Sequence, residues 1–200
     1  MTEPDAGHAC LTPPSPLGGP HEAPPVAWAT WEADLVEAVT TLADGEALTV
    51  TGAAELERPV LLRRGFLRGF VPAKHDVLSP WVRLTRVEDH LRGTCVGDER
   101  FGGPFPFSPE EDEALVDLGW RRPGDGDGTD YLRYWPDDVP QAPFLPRQEA
   151  ERAAAVVART FREVLTPPES GPDQQTGPAL PTVARSGPPV APGHGAGHDG

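Results

Sequence analysis

The chain has 200 residues and a formal net charge of −14, with 38% hydrophobic residues, 22 glycines and 26 prolines. So low an apolar share excludes a core built from the whole chain, and the glycine and proline gather at the ends: seven Pro and three Gly in residues 1–26, eight Pro and seven Gly in 166–200, with all five Trp and all seven Phe between. The acidity, with no block of Lys or Arg, excludes nucleic acid and an anionic membrane surface as partners, and no apolar run reaches the ~18 residues of a membrane span.

One α+β domain is therefore expected at 27–165, between disordered Pro/Gly-rich tails at 1–26 and 166–200. Residues 26–42 carry Trp28, Trp31, Leu35, Val39 and Leu42 on one helical face. Asp44-Gly45 stops that helix. Ala47–Thr51 reads as a short strand closed by Gly52. Residues 59–63 and 66–71 are further strand candidates, joined by Arg-Arg-Gly. Trp81–Val87 alternates apolar with polar, and residues 91–97 return through Glu88-Asp89-His90 as a hairpin.

Ser108-Pro109-Glu110-Glu111 announces a helix, with Ser108 as N-cap, Pro109 in the first turn and Glu111 completing a capping box. Ala114, Leu115 and Leu118 are its apolar positions, and Gly119 ends it. An acidic Gly-rich loop at 124–130 precedes the aromatic strand Tyr131–Trp135. Residues 147–165 form the strongest helix, with Ala150, Ala153, Ala154, Val157, Phe161, Val164 and Leu165 as its stripe. This order implies an antiparallel sheet of about five strands with helices on one face.

Few residues carry chemistry. No serine lies in a nucleophile elbow. Only His75 and His90 lie within the expected domain, both in expected loops. The 124–130 loop fails the calcium-loop pattern, because the sixth position from Asp125 is Asp130 and the twelfth is Pro136. His194 and His198 share a helical spacing without a helix to hold them. Cys10 and Cys95 make no disulfide framework. No metal, cofactor or catalytic residue is therefore expected. The first residues have neither a basic nor an apolar leader region, so the cytoplasm is the expected location. Sixteen of the seventeen basic residues are Arg, a GC-rich coding bias of the actinomycete kind.

Six features occur together: the strand pair at 81–96, the Phe101 segment, the Ser-Pro-Glu-Glu helix start, Leu118-Gly119-Trp120, the aromatic strand Tyr131–Trp135 after a variable loop, and the final helix with Arg159-Thr160-Phe161-Arg162-Glu163-Val164. In this combination the chain resembles actinobacterial TY-Chap domains over roughly residues 27–165. These are peptide-binding, chaperone-like domains related to type III secretion chaperones of the CesT and YopN-chaperone type, and to YbjN. The resemblance implies a non-catalytic α+β domain of type III secretion chaperone-like and YbjN-like fold. It also implies a protein or peptide client of secreted or toxin-like kind, and a homodimer as one arrangement.

The leading functional expectation is a chaperone-like domain that holds a client segment. The alternative is an immunity-type or regulatory interaction protein that binds one folded partner. A third reading, an enzyme, requires a polar cleft with a shifted titratable group near His75, His90 or Asp130. For the binding surface the candidates are the hairpin strands and the helix before Gly119. The candidate side chains there and beside them are Trp81, Leu84, Phe101, Phe105 and Trp120, and each would serve equally well in a core.

Overall fold

Helix α1, Pro25–Thr40, turns Leu35, Val36 and Val39 inward with Trp28, while Trp31 is half-buried. The computed structural model describes residues 25–63, 74–124, 128–138, 144–166 and 179–187. Strand β1, Ala47–Thr51, follows a turn at Gly45, whose φ of 77° needs glycine. Strands β2, Arg58–Arg63, and β3, Lys74–Leu78, pair antiparallel with each other. Then come β4, Trp81–Val87, and β5, His90–Cys95. Helix α2, Pro109–Asp117, precedes β6, Tyr131–Trp135. Helix α3, Arg147–Arg159, runs on into a wider π turn over Thr160–Val164. A last strand, β7, is Thr182–Ser186.

Five strands form one antiparallel sheet in the order β6-β5-β4-β1-β7. The expected count of about five holds, with two changes of membership. The 59–63 strand leaves the main sheet to pair with β3 at 74–78, a strand that no sequence periodicity marks. The fifth place is filled by β7, within the segment expected to be a disordered tail. For residues 179–187 that expectation is corrected: β1 has a free edge, and five residues of extended chain complete its ladder. The candidate strand at 66–71 lies outside the described residues, as do Cys10, His194 and His198. His75 and His90 stand in strands rather than loops.

The strand registers place Leu48, Val50, Val82, Leu84, Leu91, Gly93, Cys95, Tyr131 and Trp135 on one face. That face packs into one apolar cluster with Trp28, Leu35, Val39, Leu115, Ala153, Val157 and Phe161 from the helices. The expected α3 stripe is buried along its whole length. Helices α1 and α3 pack against each other and run antiparallel: Arg162 near the end of α3 lies over the Trp28 ring at 5.6 Å, and Arg147 at its start pairs with Glu37 at 2.7 Å.

Gly93 explains why β5 breaks the alternating pattern. A Cβ there would stand 2.5 Å from the Trp135 ring and 3.2 Å from the Trp120 ring. Glycine lets two indoles approach the sheet closely. They meet edge-to-face at 6.0 Å.

Candidate functional site

A groove lies where the start of α2 meets the end of α3. It encloses about 750 Å³ and is lined by Arg58, Ser108, Glu110, Glu111, Ala114, Glu163, Val164 and Thr166. Local sequence builds each wall. Ser108 Oγ accepts the Glu111 N–H at 3.2 Å, and a Glu111 carboxylate oxygen accepts the Ser108 N–H at 2.7 Å. This capping box fixes the first turn of α2. Glu111 also receives both guanidinium nitrogens of Arg58, which ties β2 to that turn.

At the far end α2 closes in a Schellman pattern. Gly119, at φ 87°, donates to Val116 O at 2.8 Å, and Trp120 donates to Leu115 O at 3.0 Å. On the opposite wall the π turn brings Val164 and Thr166 to the groove. Arg159 holds Glu163 with bonds of 2.9–3.0 Å.

The groove therefore has an apolar bottom, from Ala114 and Val164, and an acidic rim. Arg159 holds the Glu163 carboxyl below its ordinary range. Hydrogen bonds from its own backbone and from Ser108 do the same for Glu110. A shallower depression beside it, lined by Pro109, Glu110, Glu113, Ala114 and Asp117, carries the acidic surface along α2. Such a surface attracts apolar side chains flanked by cations.

The five residues proposed from sequence do not form one patch. Leu84 and Phe105 are completely buried and Trp120 is 1% exposed. Leu84 lies on the helix-covered face of β4, opposite Leu48 and Gly93. Phe105 packs at a tilt against Phe107, with ring centres 4.9 Å apart, under the Arg58 guanidinium. Burial corrects the surface expectation for all three. Trp81 is half-buried on the opposite face of β4, and Phe101 is 37% exposed, edge-on to Tyr131. The sequence marks the helix before Gly119 as a candidate surface but does not single out its groove residues, because the capping box at Ser108 and Glu111 is fully accounted for by helix initiation.

The densest group of titratable side chains is structural. Tyr131 donates its hydroxyl to Asp112 at 2.6 Å, and Arg122 Nε reaches both oxygens of Asp112 at 3.1 Å. Arg100 bridges Asp112 and the buried Asp98. Burial alone would raise the Asp112 pKa, but the bonds from Arg122 and Tyr131 outweigh it and the net shift is downward. Burial, then the Asp112 bond, drives the Tyr131 phenol upward, so it stays neutral. Each partner is already engaged, and the group locks α2 to β6. Asp130 is raised by burial but lies by the Gly97 backbone, not in the groove. Among the described residues no cluster of His, Cys, Asp or Glu is placed to hold a metal ion, and no helix is long and apolar enough to cross a membrane.

A family model described as TY-Chap3, T3SS (YopN, CesT) and YbjN peptide-binding chaperone 3, matches residues 21–170. No curated protein and no solved structure is matched.

Proposed function

The chain belongs to the TY-Chap3 family of peptide-binding chaperones, and on that premise we propose that it holds an extended client segment without chemically altering it. The observation that carries this reading is the groove between α2 and α3, with Ala114 and Val164 inside and Glu110 and Glu163 on its rim. Its volume suits a few side chains rather than a folded surface. The acidic rim favours a segment that alternates apolar and basic residues. The overall charge of −14 adds long-range attraction for such a client and keeps the free chaperone soluble. The client is of the secreted or toxin-like kind and is held in the cytoplasm before export. The support for this is the family's tie to type III secretion chaperones. Trp81 and Phe101 supply secondary contacts.

The test is a display selection of random peptides on the full chain, repeated with Ala114→Trp, which fills the groove from its half-buried bottom. Enriched peptides carry Arg or Lys beside apolar residues and bind the variant at least tenfold more weakly, under conditions where circular dichroism shows the variant folded. Enrichment no better than for scrambled peptides, or equal binding to the filled groove, refutes the reading.

A further inference from the structure

Strand β7 stands apart from the rest of the sheet. The family match ends at residue 170, and β7 lies beyond it at Thr182–Ser186. It pairs antiparallel with β1 over five residues, from Thr51↔Thr182 to Ala47↔Ser186. All five of its side chains are exposed, and Val183 is 41% exposed although its register places it on the apolar face beside Val50. A strand integral to a core buries alternate residues. This one does not.

Its hold is instead that of a bound peptide: main-chain bonds plus an anchor at each end. At one end Trp31 donates its indole N–H to Pro181 O at 3.0 Å, Pro181 is buried, and Leu180 packs partly against the core. At the other, Arg185 pairs with Glu46 and donates Nη2 to Thr41 O at 2.7 Å. The bond from Arg185 holds the Glu46 carboxyl below its ordinary range. The anchors lie four residues apart, about 13 Å at strand rise. Trp31, Thr41 and Glu46 all fall within the matched span, so the receiving half belongs to the family domain and the occupant does not.

We propose that the free edge of β1, with Trp31 at one end and Glu46 and Thr41 at the other, is a strand-binding site for extended segments carrying an arginine. Residues 180–186 are its resident occupant, which a client strand displaces. The proposal rests on the client-holding reading and adds a second surface to it. Tethering gives the resident segment a high effective concentration, so a free strand of the same pattern competes at a disadvantage. A client that also fills the α2–α3 groove gains a second point of attachment and overcomes it.

The test uses the full chain and a fluorescent peptide of the resident sequence, Leu-Pro-Thr-Val-Ala-Arg-Ser, followed by anisotropy. Arg185→Glu loosens the resident strand and binds the peptide at least tenfold more tightly than wild type. Amide exchange over residues 182–186 quickens in the same variant. Adding Glu46→Gln, which keeps the acceptor for the Ala43 N–H, removes the gain, and so does replacing the peptide's arginine with alanine. Equal affinity of wild type and Arg185→Glu, with exchange at 182–186 already quickened, overturns the proposal. So does a concentration-dependent dimer of Arg185→Glu without peptide binding, which would make a second copy the occupant. Ala114→Trp leaves this binding intact, so failure at the β1 edge and failure at the groove are separable.

Discussion

Trp120 donates its indole N–H to Thr160 Oγ1 at 3.0 Å, joining the chain just beyond α2 to the π turn that ends α3. Thr160 in turn donates its hydroxyl to Val156 O at 2.9 Å. A buried polar pair is thereby satisfied, and the two helices that wall the groove are held in register. The indole is a structural strut that meets Trp135 edge-to-face.

Trp120 and Trp135 therefore differ in what shortening them costs. Trp120→Phe loses ring volume and strips Thr160 of a donor. Trp135→Phe loses the same volume but removes a buried N–H that has no partner among the described residues. A bond broken on one side is worth about 1 kcal/mol, so Trp120→Phe is expected to be the more destabilised by roughly that amount. Urea midpoints at equal m-values measure the difference. The full truncation Trp120→Ala costs about 3–5 kcal/mol, so loss of a client in that variant would report unfolding rather than a lost contact.

The first turn of α2 is the hinge between helix initiation and groove shape. Ser108→Ala removes the oxygen that accepts the Glu111 N–H and is expected to cost about 1 kcal/mol. Ser108→Asp restores an acceptor and recovers most of it. If the alanine variant melts with the wild type, Arg58 and the backbone N–H of residue 108 suffice to fix Glu111.

Two aspartates give stability opposite dependences on pH. The folded-state pKa of Asp112 is depressed, so its contribution is present above the unfolded value near 3.9 and is lost as pH falls through the folded one. Glu110 and Glu163 act in the same direction. Asp130 is raised by burial, so its contribution is full below the unfolded value and is lost as pH rises through the folded one. Asp112→Asn should flatten the acid limb of a melting-temperature profile below about pH 4. Asp130→Asn keeps an acceptor for the Gly97 N–H and should raise the melting temperature at neutral pH. A fall at neutral pH would mean that the charge of Asp130 is needed where it stands.

Periodicity made the helices and the central strands legible in the sequence. Val82 and Leu84 alternate with exposed Arg83, and Ala153, Val157 and Phe161 share one stripe, because each element has a single buried face. The capping box was legible because it is local. Two kinds of information were not. Whether the 58–63 strand joins the main sheet depends on which edge is free, a property of the assembled sheet. Strand β7 was hidden for the same reason: its five residues carry no apolar alternation, and only the ladder of β1 makes them a strand. The candidate surface went astray at Leu84, Phe105 and Trp120 because aromatic and aliphatic side chains look alike in sequence whether they face a partner or a core.

Cys95 tests the tightness of that core directly. It is completely buried on the apolar face of β5, opposite Val82 and Tyr131. Burial drives its thiol pKa well up, and the nearby charge of Asp130 adds to the rise. Both effects suppress the thiolate, the form that reacts. In a Cys10→Ser background, a disulfide reagent at pH 8 should therefore modify no thiol in the native protein over minutes and one thiol per chain in denaturant. At intermediate urea the labelling rate should follow the unfolded population, since only opening of the β4–β5–β6 layer exposes the sulfur. Trp120→Phe should quicken the reaction by about the factor that its stability loss predicts, tenfold per 1.4 kcal/mol. Rapid labelling of the native wild type would instead mean that the sheet opens locally beneath the two indoles, and that Gly93 leaves room for the reagent as well as for the rings.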